Sequence, residues 1–281
     1  MNWKDRNKEK LPLMKKQGEV EYLVFPGLQK LKAAEHLFST RLGGVSRAHL
    51  SAMNLSFTRG DKNEYVRENY RRIAKILNCD IGDFVFAHQT HTTNVRIVTG
   101  EDRGKGLTRE LDYCDVDGLV TNVEGLVLTT FYADCVPIFL VDSQNKVIGL
   151  CHSGWRGTVG RIGEKTIQHM ELLGADRKTI RAAIGPSICQ SCYEVSEDVA
   201  SSFASEFASH KKEVLMEKGD GKYLLDLWKA NELVLIQAGI NPEHIEVTNL
   251  CTCCNSEYLF SHRASKGLRG NMGAFLMLKK S

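Results

Sequence analysis

Between Leu119 and Leu150 the chain reads as short apolar runs, LVLTTFY, VPIFLVD and KVIGLCH, rich in Val, Ile, Leu and Phe and parted by Asp142-Ser143-Gln144-Asn145-Lys146. Unbroken runs of this length, bounded by turn residues, predict strands buried on both faces. Earlier, apolar positions fall at helical spacing: Val66, Tyr70, Ile73, Ala74 and Leu77 share one face, behind Asp61 and Glu64 placed for a capping box. The pattern predicts further helices from about Gly160 to Leu173, stopped at Gly174, and from Asp226 to Ala238, stopped at Gly239. Strands are expected at Ile180 to Ile184 and at Ala274 to Leu278. Hairpin-linked strands mixed with helices argue an α+β layered sandwich of mixed β-sheets flanked by helices, not a repeating βαβ barrel.

No repeat or low-complexity tract occurs, and only five prolines punctuate 281 residues, so the expectation is a single catalytic domain over 1–281 with a polar amino-terminal extension of about residues 1–20. That start, MNWKDRNKEKLPLMKKQGEV, is basic but has no apolar stretch of signal-peptide length, and no later run reaches the length of a membrane span. A cytoplasmic protein without a membrane partner is expected. With 37 basic and 34 acidic residues spread along the chain, the formal charge is only +3, and no charge block offers a footprint for nucleic acid. A small neutral or anionic substrate suits this balance better. The cysteines number nine, an odd count with no export signal, which makes a disulfide framework a poor explanation and points to metal ligation or catalysis for some of them.

Three polar residues mark the ends of strand-like segments: His91 in AHQTHTTNV, Cys135 in YADCVPIF and His152 in LCHSGWRG. Side chains at strand ends are held rigidly enough to converge on one ion. They lie too far apart in sequence for a finger or knuckle, and two imidazoles with one thiolate suit zinc with a fourth position left open. Spacing leaves His88 as a rival to His91. Two glycine-bearing segments carry arginines, Arg156 in HSGWRG and Arg41 in STRLGG, whose planar guanidinium could clamp an anion. Cys189-Gln190-Ser191-Cys192 and Cys251-Thr252-Cys253-Cys254 could together hold a structural zinc. The second cluster is irregularly spaced, so reduced, unligated thiols are the expectation there.

The segments FSTRLGGVS, FAHQTHTTNV, YADCVPIFLVD, CHSGWRGT, AAIGPSICQSCYEV, GDGKYLLDLWKAN and TNLCTCCNSEYLFSHRASKGLRGNMGAFL follow one another in an order that closely resembles the bacterial YfiH/YlmD family. That family carries a laccase or multicopper polyphenol oxidase description and also one as purine nucleoside phosphorylase. The resemblance implies a fold similar to the CNF/YfiH-like cysteine hydrolase group. It also implies one zinc on the His of Q-x-H, the Cys of A-D-C-x-P and the His of H-x-G-W-R-G, here His91, Cys135 and His152, which selects His91 over His88. It implies phosphorolysis of adenosine, inosine, guanosine and methylthioadenosine, with adenosine deamination as a second reaction. It places the amino-terminal extension outside the catalytic design, and the chain departs from the family at Cys189 and Cys192.

For phosphorolysis, Arg41 and Arg156 are the candidate phosphate clamps; for deamination, zinc would lower the pKa of its bound water, with Asp134 beside the thiolate as candidate acid/base. Other readings are a Cys-His hydrolase with Cys135 as nucleophile activated by His152, a copper-dependent phenol oxidase, and a metal-stabilised nucleoside-binding protein without turnover. Multicopper electron transfer calls for more histidines than this set supplies.

Overall fold

The computed structural model describes residues 12–280. Strands β1 (Leu13–Gln17) and β2 (Val20–Val24) form an antiparallel hairpin, followed by the short helix α1 (Pro26–Gln29) and strand β3 (Ala34–Ser39). Helix α2 (Asn63–Leu77) precedes three short strands, β4 (Phe84–Phe86), β5 (Val95–Ile97) and β6 (Gly118–Thr121). Then come β7 (Val127–Tyr132), β8 (Val136–Asp142) and β9 (Val147–Ser153), helices α3 (Trp155–Val159) and α4 (Ile162–Leu172), and strand β10 (Arg181–Ile184). A smaller group follows: β11 (Glu194–Ser196), α5 (Glu197–Glu206), α6 (Lys211–Val214), β12 (Leu215–Gly219) and β13 (Lys222–Leu225). Helix α7 (Leu227–Gln237), β14 (Ile245–Val247) and β15 (Met272–Leu278) complete the described chain.

One six-stranded sheet runs β1-β2-β3-β15-β7-β4 and a second runs β14-β10-β8-β9-β6-β5; β11-β13-β12 make a small third. Both large sheets are mixed, being antiparallel except at β7-β4 in the first and at β14-β10 and β6-β5 in the second. Their inner faces meet in one cluster, where Leu128, Tyr132 and Leu276 oppose Phe139, Val141 and Leu150. On the outer face of the first sheet, Leu37, Phe275 and Met277 pack on Val66, Tyr70 and Ile73 of α2. On the outer face of the second, Ile138, Leu140 and Val147 pack on Ile167 and Met170 of α4 and Val234 of α7. The result is the layered α+β sandwich of mixed sheets that the sequence predicts. Because β8 and β9 lie between two apolar layers, every residue in both is buried, and their runs show no alternation.

Four local expectations are revised. Helix α2 starts at Asn63 after an extended Lys62, so Asp61 stands one residue too early to cap; its carboxylate instead accepts from Asn54 Nδ2 at 2.9 Å. The helix expected over Gly160 to Leu173 is α4, which starts two residues late at Ile162: Arg161 (φ +60°), whose guanidinium is held by Glu164, Glu206 and Gln237, separates it from the short α3 that the sequence did not predict. Strands β8 and β9 form a hairpin, but β7 and β8 belong to different sheets, and the chain crosses between them through Ala133-Asp134-Cys135. Of the amino-terminal extension, residues 1–11 lie outside the described residues, while Leu13–Gln17 is the edge strand of the first sheet. Among the described residues no helix is long and apolar enough to cross a membrane.

Candidate metal centre and adjoining cavity

The crossing between the sheets delivers Cys135 to the start of β8. The β8-β9 register, with Val136 opposite Ser153 and Pro137 opposite His152, sets His152 beside it. His91 arrives on the loop between β4 and β5. The ligand atoms of His91, Cys135 and His152 all lie within 4.8 Å of one another. Cys135 Sγ is 3.8 Å from His91 Nε2, and the two imidazoles meet edge to face with centroids 4.9 Å apart. Two ring nitrogens and a sulfur at this spacing can hold a single metal ion while leaving a side open.

Two side chains hold the His91 loop in place. Gln89 forms a reciprocal amide pair with Phe131 of β7, donating from Nε2 to its carbonyl (2.9 Å) and accepting from its N–H (2.7 Å). This gives the glutamine of Q-x-H a structural reason. Asp117, fully buried just before β6, accepts from the N–H groups of Thr90 (3.0 Å), His91 (3.2 Å) and Thr92 (2.9 Å), and from the Thr92 hydroxyl. Its Oδ1 also accepts from His152 Nδ1 at 2.7 Å, which leaves Nε2 to face Cys135 and the ion. His91 itself is in the left-handed region (φ +65°), and these bonds hold a conformation that a non-glycine residue adopts at a cost. Gly154, in HSGWRG, fits against the His91 ring. A Cβ there would come within 2.8 Å of His91 Cδ2 and 3.2 Å of Cys135 Sγ.

The electrostatics favour a thiolate. Burial alone would raise the Cys135 thiol, but the charge of His152 and hydrogen bonds from His152 and His91 outweigh it and lower it to about 6. Burial works against the His152 imidazolium, yet the Cys135 charge and the Asp117 hydrogen bond prevail and raise it to about 9. Burial would likewise raise Asp117; the bond and charge of His152 with the N–H groups of Thr92 and Thr90 hold it below the usual carboxylate range.

The three residues are part of the wall of a cavity of about 500 Å³. Phe57, Phe86 and Phe131 supply aromatic wall, and Arg59, Arg109 and Arg269 bring positive charge. Burial and the neighbouring Arg59 lower Arg269 to about 10; its Nη1 donates to the Gly270 carbonyl (3.4 Å) and to Asn271 Oδ1, and its Nε is buried without a hydrogen-bond partner.

The other sequence candidates go elsewhere. Arg41 is committed to carbonyls, donating to Ser51 (2.9 Å), Ser256 (2.8 Å) and His49 and stacking over Phe260, so it is a strut and not a phosphate clamp. Arg156 is exposed, lies over the Trp155 ring (4.3 Å) and is absent from the cavity wall. Asp134 faces away from the cavity, accepting from Thr252 Oγ1 (2.6 Å) and the Arg263 N–H (2.7 Å), which removes it as acid/base. His88 lines the cavity but lies outside the three-residue group, its Nδ1 accepting from the Asp115 N–H at 3.2 Å. Sequence reasoning passed over Asp117, Arg59 and Arg269. A buried acid between the apolar Val116 and Gly118-Leu119-Val120 was the available signal for the first; nothing local singled out the arginines.

Residues 35–279 match the family described as multi-copper polyphenol oxidoreductase laccase. The chain is 36% identical to purine nucleoside phosphorylase YlmD of Bacillus subtilis (strain 168) over 87% of its own length and 88% of that protein. It is 37% identical to adenosine deaminase RL5 from an unknown prokaryotic organism, over 84% and 93% respectively. The crystal structure of the hypothetical protein YfiH from Bacillus licheniformis superposes with a TM-score of 0.88 at 31% identity, over 95% of this chain and 99% of that one.

Proposed function

The chain belongs to the multi-copper polyphenol oxidoreductase laccase family, and from that membership and the cavity we propose that it is a zinc-dependent purine nucleoside phosphorylase with adenosine deaminase activity. The observation that carries this reading is the cavity itself, where the His91, Cys135 and His152 donors share the wall with three phenylalanines and with Arg59 and Arg269. Relatives named for both activities, one a phosphorylase and one a deaminase, support it. When bound, zinc on His91, Cys135 and His152 would supply a Lewis acid in the cavity wall, polarising a substrate atom placed against it.

The residues account for the rest. Phe57, Phe86 and Phe131 offer faces and edges to a flat purine. Arg59 and Arg269 hold phosphate, and its charge offsets their mutual repulsion. The phosphate oxygen forms its bond to the anomeric carbon as the glycosidic C–N bond breaks. The purine departs with the electron pair and takes up the proton that the attacking hydrogen phosphate gives up. Held phosphate makes that attack effectively unimolecular. Asp117 acts through His152 and His91, keeping both imidazoles aimed; it touches no substrate and is a positioning residue.

A second reading, a hydrolase with Cys135 as nucleophile, rests on the thiolate-imidazolium pair that the pKa values of about 6 and about 9 describe. One experiment separates the two. Purified protein is incubated with inosine or adenosine, with and without phosphate, before and after zinc removal by a chelator. Phosphate-dependent release of base and ribose phosphate, or inosine from adenosine, lost with the metal and restored by zinc, supports the proposal. No turnover of either nucleoside by the zinc-loaded protein refutes it.

A further inference from the structure

A second metal-capable group lies outside the cavity. Cys189 and Cys192 bracket a single turn that follows β10, and Cys251 and Cys254 bracket the turn that follows β14. The parallel pairing of β10 with β14 continues beyond the strands, through a bridge between Ser187 and Cys251 and a bond from Thr252 N–H to the Ser187 carbonyl (3.0 Å). This pairing sets the two turns side by side. All four sulfurs lie within 4.8 Å of one another, and none is in a disulfide. Cys192 Sγ is 3.5 Å from Cys254 Sγ, and the N–H groups of Cys189 (3.3 Å) and Cys254 (3.4 Å) donate to Cys251 Sγ.

These distances identify the kind of site. Four sulfurs placed tetrahedrally at about 2.3 Å from one zinc stand about 3.8 Å apart, within the observed spread. A multinuclear iron–sulfur cluster would push them wider, because several irons and bridging sulfides lie between its cysteines. The sequence pattern also becomes regular: once Cys253 is set aside, which the group leaves out, both turns are C-x-x-C. Cys189 and Cys251 are buried and the other two half-buried, so four protein ligands close the site without an open position. Amide N–H groups aimed at sulfur favour the thiolate that a metal needs. The Arg263 guanidinium, donating to the Cys192 and Glu194 carbonyls at 3.0 Å each, brings a positive charge near a centre of net negative charge.

We propose that Cys189, Cys192, Cys251 and Cys254 bind one structural zinc ion, which clamps the turn after β10 to the turn after β14. Its role follows from what those turns hold. Thr252, next to a ligand, donates to Asp134 Oδ1; the Arg263 N–H donates to Oδ2; and the Ile188 N–H, beside Cys189, donates to the Asp134 carbonyl at 3.0 Å. Asp134 has φ +93° and immediately precedes Cys135. The tetrathiolate site therefore braces from outside the backbone that presents Cys135 to the cavity.

The test uses the full chain purified under reducing conditions, with metals counted by mass spectrometry. The wild type carries about two zinc ions, Cys192→Ser and Cys254→Ser about one each, and His91→Ala in the Cys192→Ser background none. The cysteine variants also melt roughly 5 °C or more below the wild type. If those variants do not fold, wild-type protein refilled with cobalt(II) gives the answer. Intense sulfur-to-cobalt charge-transfer bands of a four-thiolate tetrahedral centre support the proposal, and their absence refutes it. Unchanged zinc content in Cys192→Ser, iron in place of zinc, or a native mass short by the four hydrogens of two disulfides overturns it as well. The outcome is independent of the nucleoside assay, since Cys192→Ser leaves His91, Cys135 and His152 in place.

Discussion

Replacing Asp117 by Asn tests the reasoning about the metal centre most directly. The side chain keeps its size, but one carboxylate oxygen becomes an NH2 group that donates. Both oxygens of Asp117 are acceptors only: Oδ1 takes His152 Nδ1 and the His91 N–H, and Oδ2 takes the N–H groups of Thr90 and Thr92 with the Thr92 hydroxyl. If the amide nitrogen faces His152, it forces Nδ1 to accept, moves the ring proton to Nε2 and blocks that atom as a ligand. If it faces the other way, two backbone donors oppose a third and the loop carrying His91 loosens. Loss of a support of this kind lowers metal affinity by roughly 10- to 100-fold. Because Asp117 is fully buried, unmatched donors also cost about 2–4 kcal/mol of stability. Zinc affinity would be measured by competition with a coloured chelator in the Cys192→Ser background, where one site remains, alongside thermal melting. Activity should return partly at saturating zinc, since no group that touches substrate has been removed. Zinc affinity within threefold of the parent (roughly 0.6 kcal/mol or less) would refute the assigned role.

Gly154→Ala should reduce zinc binding at least ~10-fold with a stability loss of about 1–3 kcal/mol, because the new Cβ must displace the His91 ring from 2.8 Å; unchanged metal content would show that the ring yields freely. Arg269→Met should raise KM for phosphate roughly 10- to 100-fold while zinc content stays constant, and an unaltered phosphate KM would remove Arg269 from the anion site. Acid stability should carry the signature of His36, whose pKa burial and the Lys15 charge lower to about 4 and whose Nε2 accepts the Phe25 N–H at 2.9 Å. Since the folded value lies below the unfolded one, its contribution of about 3 kcal/mol is complete above pH ~6.5 and is lost as pH falls toward 4. His36→Gln, whose amide oxygen accepts the same bond without titrating, should flatten the dependence of unfolding free energy on pH over that window; an identical slope would contradict the assignment.

How far the chain could be read by itself depended on how local each determinant is. The runs VPIFLVD and KVIGLCH declared buried strands because a residue's apolarity records its own burial, and the spacing of Val66, Tyr70, Ile73 and Leu77 declared one helical face for the same reason. Cys135 and His152 were legible as strand-end residues, whereas His91 lies in mid-loop between β4 and β5, and the ordered family motifs, not its spacing, chose it over His88. Asp61 was misread as a cap because capping depends on whether the next residue is helical or extended, which tertiary contacts decide.

By itself the sequence therefore declared the layers and offered three candidate donors, while its two cysteine clusters read as unligated thiols. Only the tertiary structure decided which side chains share a space. A crossing from one sheet to the other aimed Cys135 into the cavity and Asp134 out of it. Backbone carbonyls from distant segments claimed Arg41, while Arg59 and Arg269 line the cavity with the three donors. Pairing of β10 with β14 joined cysteines from opposite ends of a long stretch of chain. Side-chain direction is set by the partner strand and the face it covers, and neither is encoded in a residue's immediate neighbours.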